Sequence, residues 1–219
     1  MQLSRDLDCY DKTAFVLAHK LREAMALEVR TCEVLTGHVE TDGTYFGGTI
    51  RPDTTKVDRE DRRLREHQNG QRRAVAVLLA RLGRTLPVVT MAEAEGVALV
   101  HASVDRMAIL SAVEASHWDM LHAGWQVDRV NHSETCSDHG KHTNWTESLF
   151  LRLRRMVQGQ HHHVSPRYLP QYATQAAWLE DRRRKSIGAL AFCLVANAMG
   201  CPVSRAWKGY CQRAAWHIL

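Results

Sequence analysis

The sequence predicts an α/β fold, a mixed five-stranded sheet flanked by helices and preceded by a small helical segment. Three observations predict it. Apolar residues recur with a helical period near the N-terminus, three β-type runs follow between residues 37 and 91, and strand-like and helix-like runs then alternate up to residue 157. With 219 residues, 45% hydrophobic and 24% charged, the chain has a globular mix that excludes a disordered or collagen-like protein. The longest apolar run, residues 189–196, stops at Asn197, well short of the ~20 residues a membrane span needs. The opening, MQLSRDLDCYDK, lacks the apolar region of a secretory signal, and the six cysteines (9, 32, 136, 193, 201 and 211) include no C-x-x-C pair. A soluble cytoplasmic protein with reduced thiols, no membrane and no small-molecule substrate is the expectation.

The elements follow in order. Leu3 and Leu7 are spaced i, i+4, and Asp8 and Asp11 bracket a turn. Residues 12–25 then place apolar side chains at 14, 17, 18, 21, 24 and 25, one face of a helix. Helix, short break and longer helix is the outline of a helix-turn-helix, and equally of any helical hairpin. From Gly37 the period changes, and GHVETDGTYFGG reads as a strand ending in a glycine turn. Residues 51–70 are almost wholly polar and suit an exposed excursion. RRAVAVLLARLG and RTLPVVTMA are the second and third strands, with Pro87 marking an edge position or an irregularity. Residues 92–104 read as a helix, 107–113 as a buried strand, 116–123 as a helix, 126–131 as a strand and 144–157 as a long helix.

Three strands, helix, strand, helix, strand, helix is the order of a ribonuclease-H-like core: an antiparallel meander extended by two crossover-connected strands. Residues 1–34 form the helix-turn-helix-like segment in this reading, 35–185 the core and 186–219 a helical tail.

Such a core holds divalent cations on three acidic or amide groups, one on the first strand, one at the end of the fourth and one on the helix after the fifth. Asp42 stands mid-strand among Val39, Tyr45 and Phe46, where a carboxylate needs a metal or a donor. A turn aspartate ahead of Gly43 is the plainer alternative. Glu40 shares its side-chain parity and could support it from one pleat away. On the long helix Asn144, Glu147, Leu151 and Arg154 form one stripe, and Trp145, Leu149, Leu153 and Met156 an apolar stripe beside it. At the end of the fourth strand stand Ala112, Val113 and Glu114, with no aspartate. Glu114 is one residue too late, and a one-residue offset points a side chain to the opposite face unless a bulge intervenes.

The net charge of +5 is modest, but residues 150–185 concentrate arginines and suit either a polyanion partner such as nucleic acid or a solvated helical face. Lys12 and Lys20 on the opening helix and Arg152 and Arg155 on the long one are the candidate contacts. His161, His162 and His163 point in different directions on any regular backbone, so a structural or phosphate-contacting loop suits them better than a chelate.

The blocks VETDGTYFGG, RTLPVV, EASHWDMLHAGW, VNHSE, HTNWTESLFLRLRR, GQHHHVSPRYLPQYATQAAW and WKGYCQR together resemble the ISXO-two-like bacterial insertion-sequence transposases, a DDE-type group. The resemblance implies a ribonuclease-H-like transposase that cuts transposon ends and joins them to target DNA with two Mg2+ (or Mn2+) ions, as a nucleoid-associated homo-oligomer when DNA-bound. It assigns Asp42 to the first catalytic position, Asn144 or Glu147 to the third, and the accompanying cation to Arg154. The second aspartate of the family is replaced by Val113, which cannot hold a metal. The cysteine-rich region that commonly precedes the helix-turn-helix is missing. An N-terminally truncated copy, impaired in catalysis, is therefore expected; a non-catalytic DNA-binding remnant or regulator of intact transposase is the alternative.

Overall fold

The computed structural model describes residues 2–30, 34–48, 70–81, 83–113, 115–130, 142–204 and 206–207. The polar excursion expected over 51–70 lies outside the described residues apart from Gly70, and so does Glu114. Five strands form one sheet: β1 (His38–Phe46), β2 (Arg73–Ala80), β3 (Thr85–Thr90), β4 (Ile109–Val113) and β5 (Gln126–Val130). Their order is β3-β2-β1-β4-β5, with β1, β2 and β3 antiparallel and β4 and β5 parallel to β1. Six helices accompany them: α1 (Gln2–Asp6), α2 (Asp11–Arg30), α3 (Gly96–Ser103), α4 (Asn144–Arg155), α5 (Leu169–Asp181) and α6 (Ile187–Gly200). The meander-plus-crossover architecture expected from the element order is present, and Pro87 lies on the edge strand β3, where a missing amide donor is tolerated.

Alternation along the strands divides the core. Val39, Leu78, Ala80, Leu110 and Ala112 face one side, where Val97 and Val100 of α3 cover them together with Trp118, Leu121 and Trp125. Gly96 opens α3 because a Cβ there would lie 2.8 Å from the Ala76 Cβ and 3.1 Å from the Trp118 ring. The helix expected over residues 116–123 is present as a 3-10 helix, Ser116–Ala123. Its three-residue repeat suits the segment's two buried anchors, Trp118 and Leu121.

Val75, Val77 and Leu79 face the other side, against Leu149, Phe150 and Leu153 of α4 and Leu169, Ala173 and Ala176 of α5. α4 passes into a π-helical turn, Met156–Gln160. Beyond it, α2 packs on α5 and α6 packs on α2, around a cluster of Met25, Val29 and Trp178 against which Leu190, Cys193 and Leu194 lie. Among the described residues Cys9, Cys193 and Cys201 are free thiols.

One carboxylate joins the sheet to α4. Glu40 on β1 is fully buried. Its Oε2 accepts from the backbone N–H of Trp145 at 3.0 Å and of Thr146 at 3.2 Å, in the first turn of α4. Its Oε1 accepts from Arg81 Nε at 2.9 Å, with His142 Nδ1 at 3.2 Å. The unpaired amides and positive dipole end of a helix are a good environment for a negative group, so this carboxylate works as an N-terminal cap reaching in from a strand. Arg81 completes the tie by donating to the His142 carbonyl at 2.9 Å.

Breaking a buried, paired carboxylate strands its donors, so Glu40→Ala is expected to lower stability by about 3 kcal/mol, a drop of roughly 6–12 °C in Tm for a chain of this size. Thermal unfolding followed by circular dichroism checks this; a change below about 1 kcal/mol would show that the α4 cap is held by other groups.

Candidate active site

The Glu40 tie sets where α4 stands over β1. Successive same-face residues on β1 are Glu40, Asp42 and Thr44, opposite Leu79, Val77 and Val75 of β2. This is the face on which α4 packs. Immediately after the capped amides comes Glu147, and two turns later Arg154, both exposed on the polar stripe of α4. The Arg154 guanidinium donates to Thr44 Oγ1, closing a second link between helix and strand.

Asp42 lies between these groups. Gly43 N donates to its Oδ1 at 2.7 Å. Burial pushes its pKa up to about 7, the charges of Glu93 and Glu147 push in the same direction, and the Gly43 hydrogen bond and Arg154 oppose them. Glu147 and Arg154 therefore lie close enough for their charges to act on Asp42. Asn144 is exposed as the first residue of α4 and needs no part in the cap, which Glu40 supplies.

Two contributors were not legible beforehand. Glu93 sits in a 3-10 turn (Glu93–Glu95) and lies directly over Gly43, where a Cβ would fall 2.2 Å from its Cγ; His117 Nε2 is 3.4 Å from its Oε1. Gly43 is thus required by a close approach, a meaning that an Asp-Gly pair in a strand does not announce. The second is Arg129 on β5. It donates to the carbonyl of Val113 and to that of Ala115, both at 2.9 Å, and to Asp119 Oδ1 at 2.6 Å.

Val113 ends β4. The parallel register pairs Glu40 with Ser111 and Thr41 with Ala112, and one further step puts Val113 level with Asp42 on the same face. The corner beside Asp42 is therefore occupied by an isopropyl group, with a guanidinium on its carbonyl. Glu114, the residue that a bulge could have brought in, lies outside the described residues. Among the described residues no three His, Cys, Asp or Glu side chains are grouped so as to hold a metal ion. The oxygen chemistry of Asp42 and Glu147 suits a hard divalent cation.

The remaining candidates are spread over the surface. Lys12, Lys20, Arg155, His162 and His163 are exposed. Arg152 is engaged with the buried Glu180 of α5 at 2.6 Å and with Ser148 at 3.1 Å. His161 turns inward, its ring edge-on to Tyr172 at 4.6 Å between centroids, and burial holds its pKa below the usual histidine value. The three histidines accordingly diverge.

An acidic residue on the central strand, a carboxylate and a cation on the helix above it, and a mixed β3-β2-β1-β4-β5 sheet define a ribonuclease-H-like domain of the transposase class. The family model of the ISXO2-like transposase domain matches residues 34–181, and the chain belongs to that family. Its general function is DNA transposition, with DNA as partner and divalent metals in general use. No curated protein and no solved structure matched the chain. No described helix is long and apolar enough to cross a membrane.

The raised Asp42 pKa has a thermodynamic consequence. Between the unfolded value of 3.8 and about 7, the folded chain holds a proton that the unfolded chain has lost. Stability contributed by this group is therefore complete below pH 4 and is lost as the pH rises through 7. Asp42→Asn is expected to remove that slope and to stabilise the metal-free chain at pH 8 by up to a few kcal/mol. Denaturant unfolding of both chains at pH 5 and pH 8 measures it; parallel pH dependences would count against the crowded carboxylate.

Proposed function

We infer that this chain is a DNA transposase whose cleavage and strand-transfer step is impaired, and that it retains the capacity to engage DNA. One observation carries the reading: Asp42, Glu147 and Arg154 converge on one face of β1 while Val113 occupies the neighbouring corner. Of the two candidates on α4, Glu147 is favoured over Asn144 as the oxygen donor, because its charge reaches Asp42. Arg154 would offer a cation to a phosphodiester from the Thr44 side. Its planar fork binds phosphate differently from the point charge of a lysine. Mg2+ or Mn2+ is the cofactor of the proposed ancestral reaction, and no transfer step is assigned to a site in which Val113 stands where the family carries an acid. Residues 35–185 are the proposed catalytic body, with 1–34 and 186–219 as the flanking helical segments and a homo-oligomer as the DNA-bound form.

DNA would lie along the exposed cations Arg154 and Arg155 of α4 and the turn Arg183, Arg184 and Lys185, with Lys12, Lys20, His162 and His163 as outlying contacts. The exposure of these cations favours a second reading, a DNA-binding remnant that regulates intact transposase copies.

Cleavage of DNA carrying the transposon ends, in Mg2+ and in Mn2+, separates the readings. Val113→Asp is expected to raise cleavage at least tenfold and to strengthen Mn2+ binding in a calorimetric titration, with Asp42→Asn abolishing both gains. Robust cleavage by the unmodified chain would overturn the impairment. In parallel, log K for DNA should fall linearly with log salt, and Arg155→Ala with Lys185→Ala should reduce that slope by roughly 2. Absence of binding at low salt would remove both readings.

A further inference from the structure

We propose that the outward face of α6 is the surface on which two copies of this chain pair. The fourteen residues of α6, IGALAFCLVANAMG, include no charged side chain, and none of them is buried. A helix that is apolar all round belongs inside a protein or against another one.

The rotation of α6 is fixed, so its outer face is presented in one orientation. Leu190, Cys193 and Leu194 pack on Met25, Val29 and Trp178. Asn197 donates to Glu28 of α2, which also accepts from Trp178 Nε1 at 2.8 Å and from Arg182. Ser186 caps the helix through its hydroxyl, which accepts from Ala189 N at 3.3 Å. The helix therefore cannot roll its opposite side inward without breaking the Glu28 knot.

That opposite side carries Ile187, Phe192, Val195, Met199 and, just past the helix end, Val203, each between 56% and 87% exposed. Together they present on the order of 700–800 Å² of largely apolar surface, larger than the patch a typical monomer shows and close to the roughly 800 Å² each partner buries in a standard stable interface. Gly188, Phe192, Val195 and Met199 are spaced 4, 3 and 4 residues apart, the seam spacing by which one helix receives another. A Cβ at Gly188 or Gly200 would meet nothing within 4 Å, so a second backbone can approach closely at both ends. A face without charge has no complement among charged partners. A two-fold pair of identical α6 helices satisfies the spacing, the area and the absence of charge at once, because an isologous contact matches the surface to itself.

The pairing is independent of the catalytic reading, and its test uses neither DNA nor metal. Sedimentation equilibrium of the full chain, freed of nucleic acid, is expected to show a dimer that persists from 0.15 to 0.5 M salt. Phe192→Glu and Phe192→Lys should each weaken dimerisation at least 100-fold while leaving the circular dichroism spectrum unchanged, and mixing the two variants should restore a heterodimer. A full chain that stays monomeric at 100 μM, or variants that dimerise like the parent, would overturn the proposal. So would a monomer that pairs only after removal of residues 208–219, which would make the chain's own tail the occupant.

Discussion

A carboxylate with no access to water must find its donors inside the protein, and around Glu40 the fold is arranged to supply them. Two come from the first turn of a helix more than a hundred residues away, one from the arginine that follows β2, and one nitrogen from the histidine just before α4. Because the helix amides are directional, the interaction fixes both the position and the rotation of α4 above β1. The apolar packing of Leu149, Phe150 and Leu153 on Val75, Val77 and Leu79 supplies attraction but less directional restraint. The polar stripe of α4 is where it is because its opposite side is apolar and its first turn is tethered.

The same geometry concentrates negative charge. Asp42 stands under Glu147 and beside Glu93, largely out of water, and Gly43 N and the Arg154 charge relieve it. Proteins keep such crowding where a cation or a transferred group is to be bound. In this chain the crowding survives beside Val113, while Arg129 holds the carbonyls at the end of β4. The membership of residues 34–181 in the ISXO2-like transposase domain family gives that contrast its meaning.

Much of this was legible in the letters. The shared parity of Glu40 and Asp42, the stripe from Asn144 to Arg154 and the edge placement of Pro87 each follow from a periodicity that the backbone obeys. Contacts that depend on two distant segments meeting were not legible. Glu93 reaches Asp42 only because Gly43 leaves room for it, and Arg129 reaches the end of β4 only through the parallel register of β5. Helix α5 was hidden inside a region read for its charge: residues Leu169–Asp181 begin with a proline at the second position and carry acids only at the end. Some of the arginines around it serve the fold, as Arg152 does on Glu180 and Arg182 does over the Trp178 ring at 4.5 Å.

The end of β4 is held from β5, where Arg129 donates to the carbonyls of Val113 and Ala115. Every valine codon becomes an aspartate or glutamate codon by a single change at its second base. A gene for this chain thus lies one nucleotide from an acidic side chain at the end of β4.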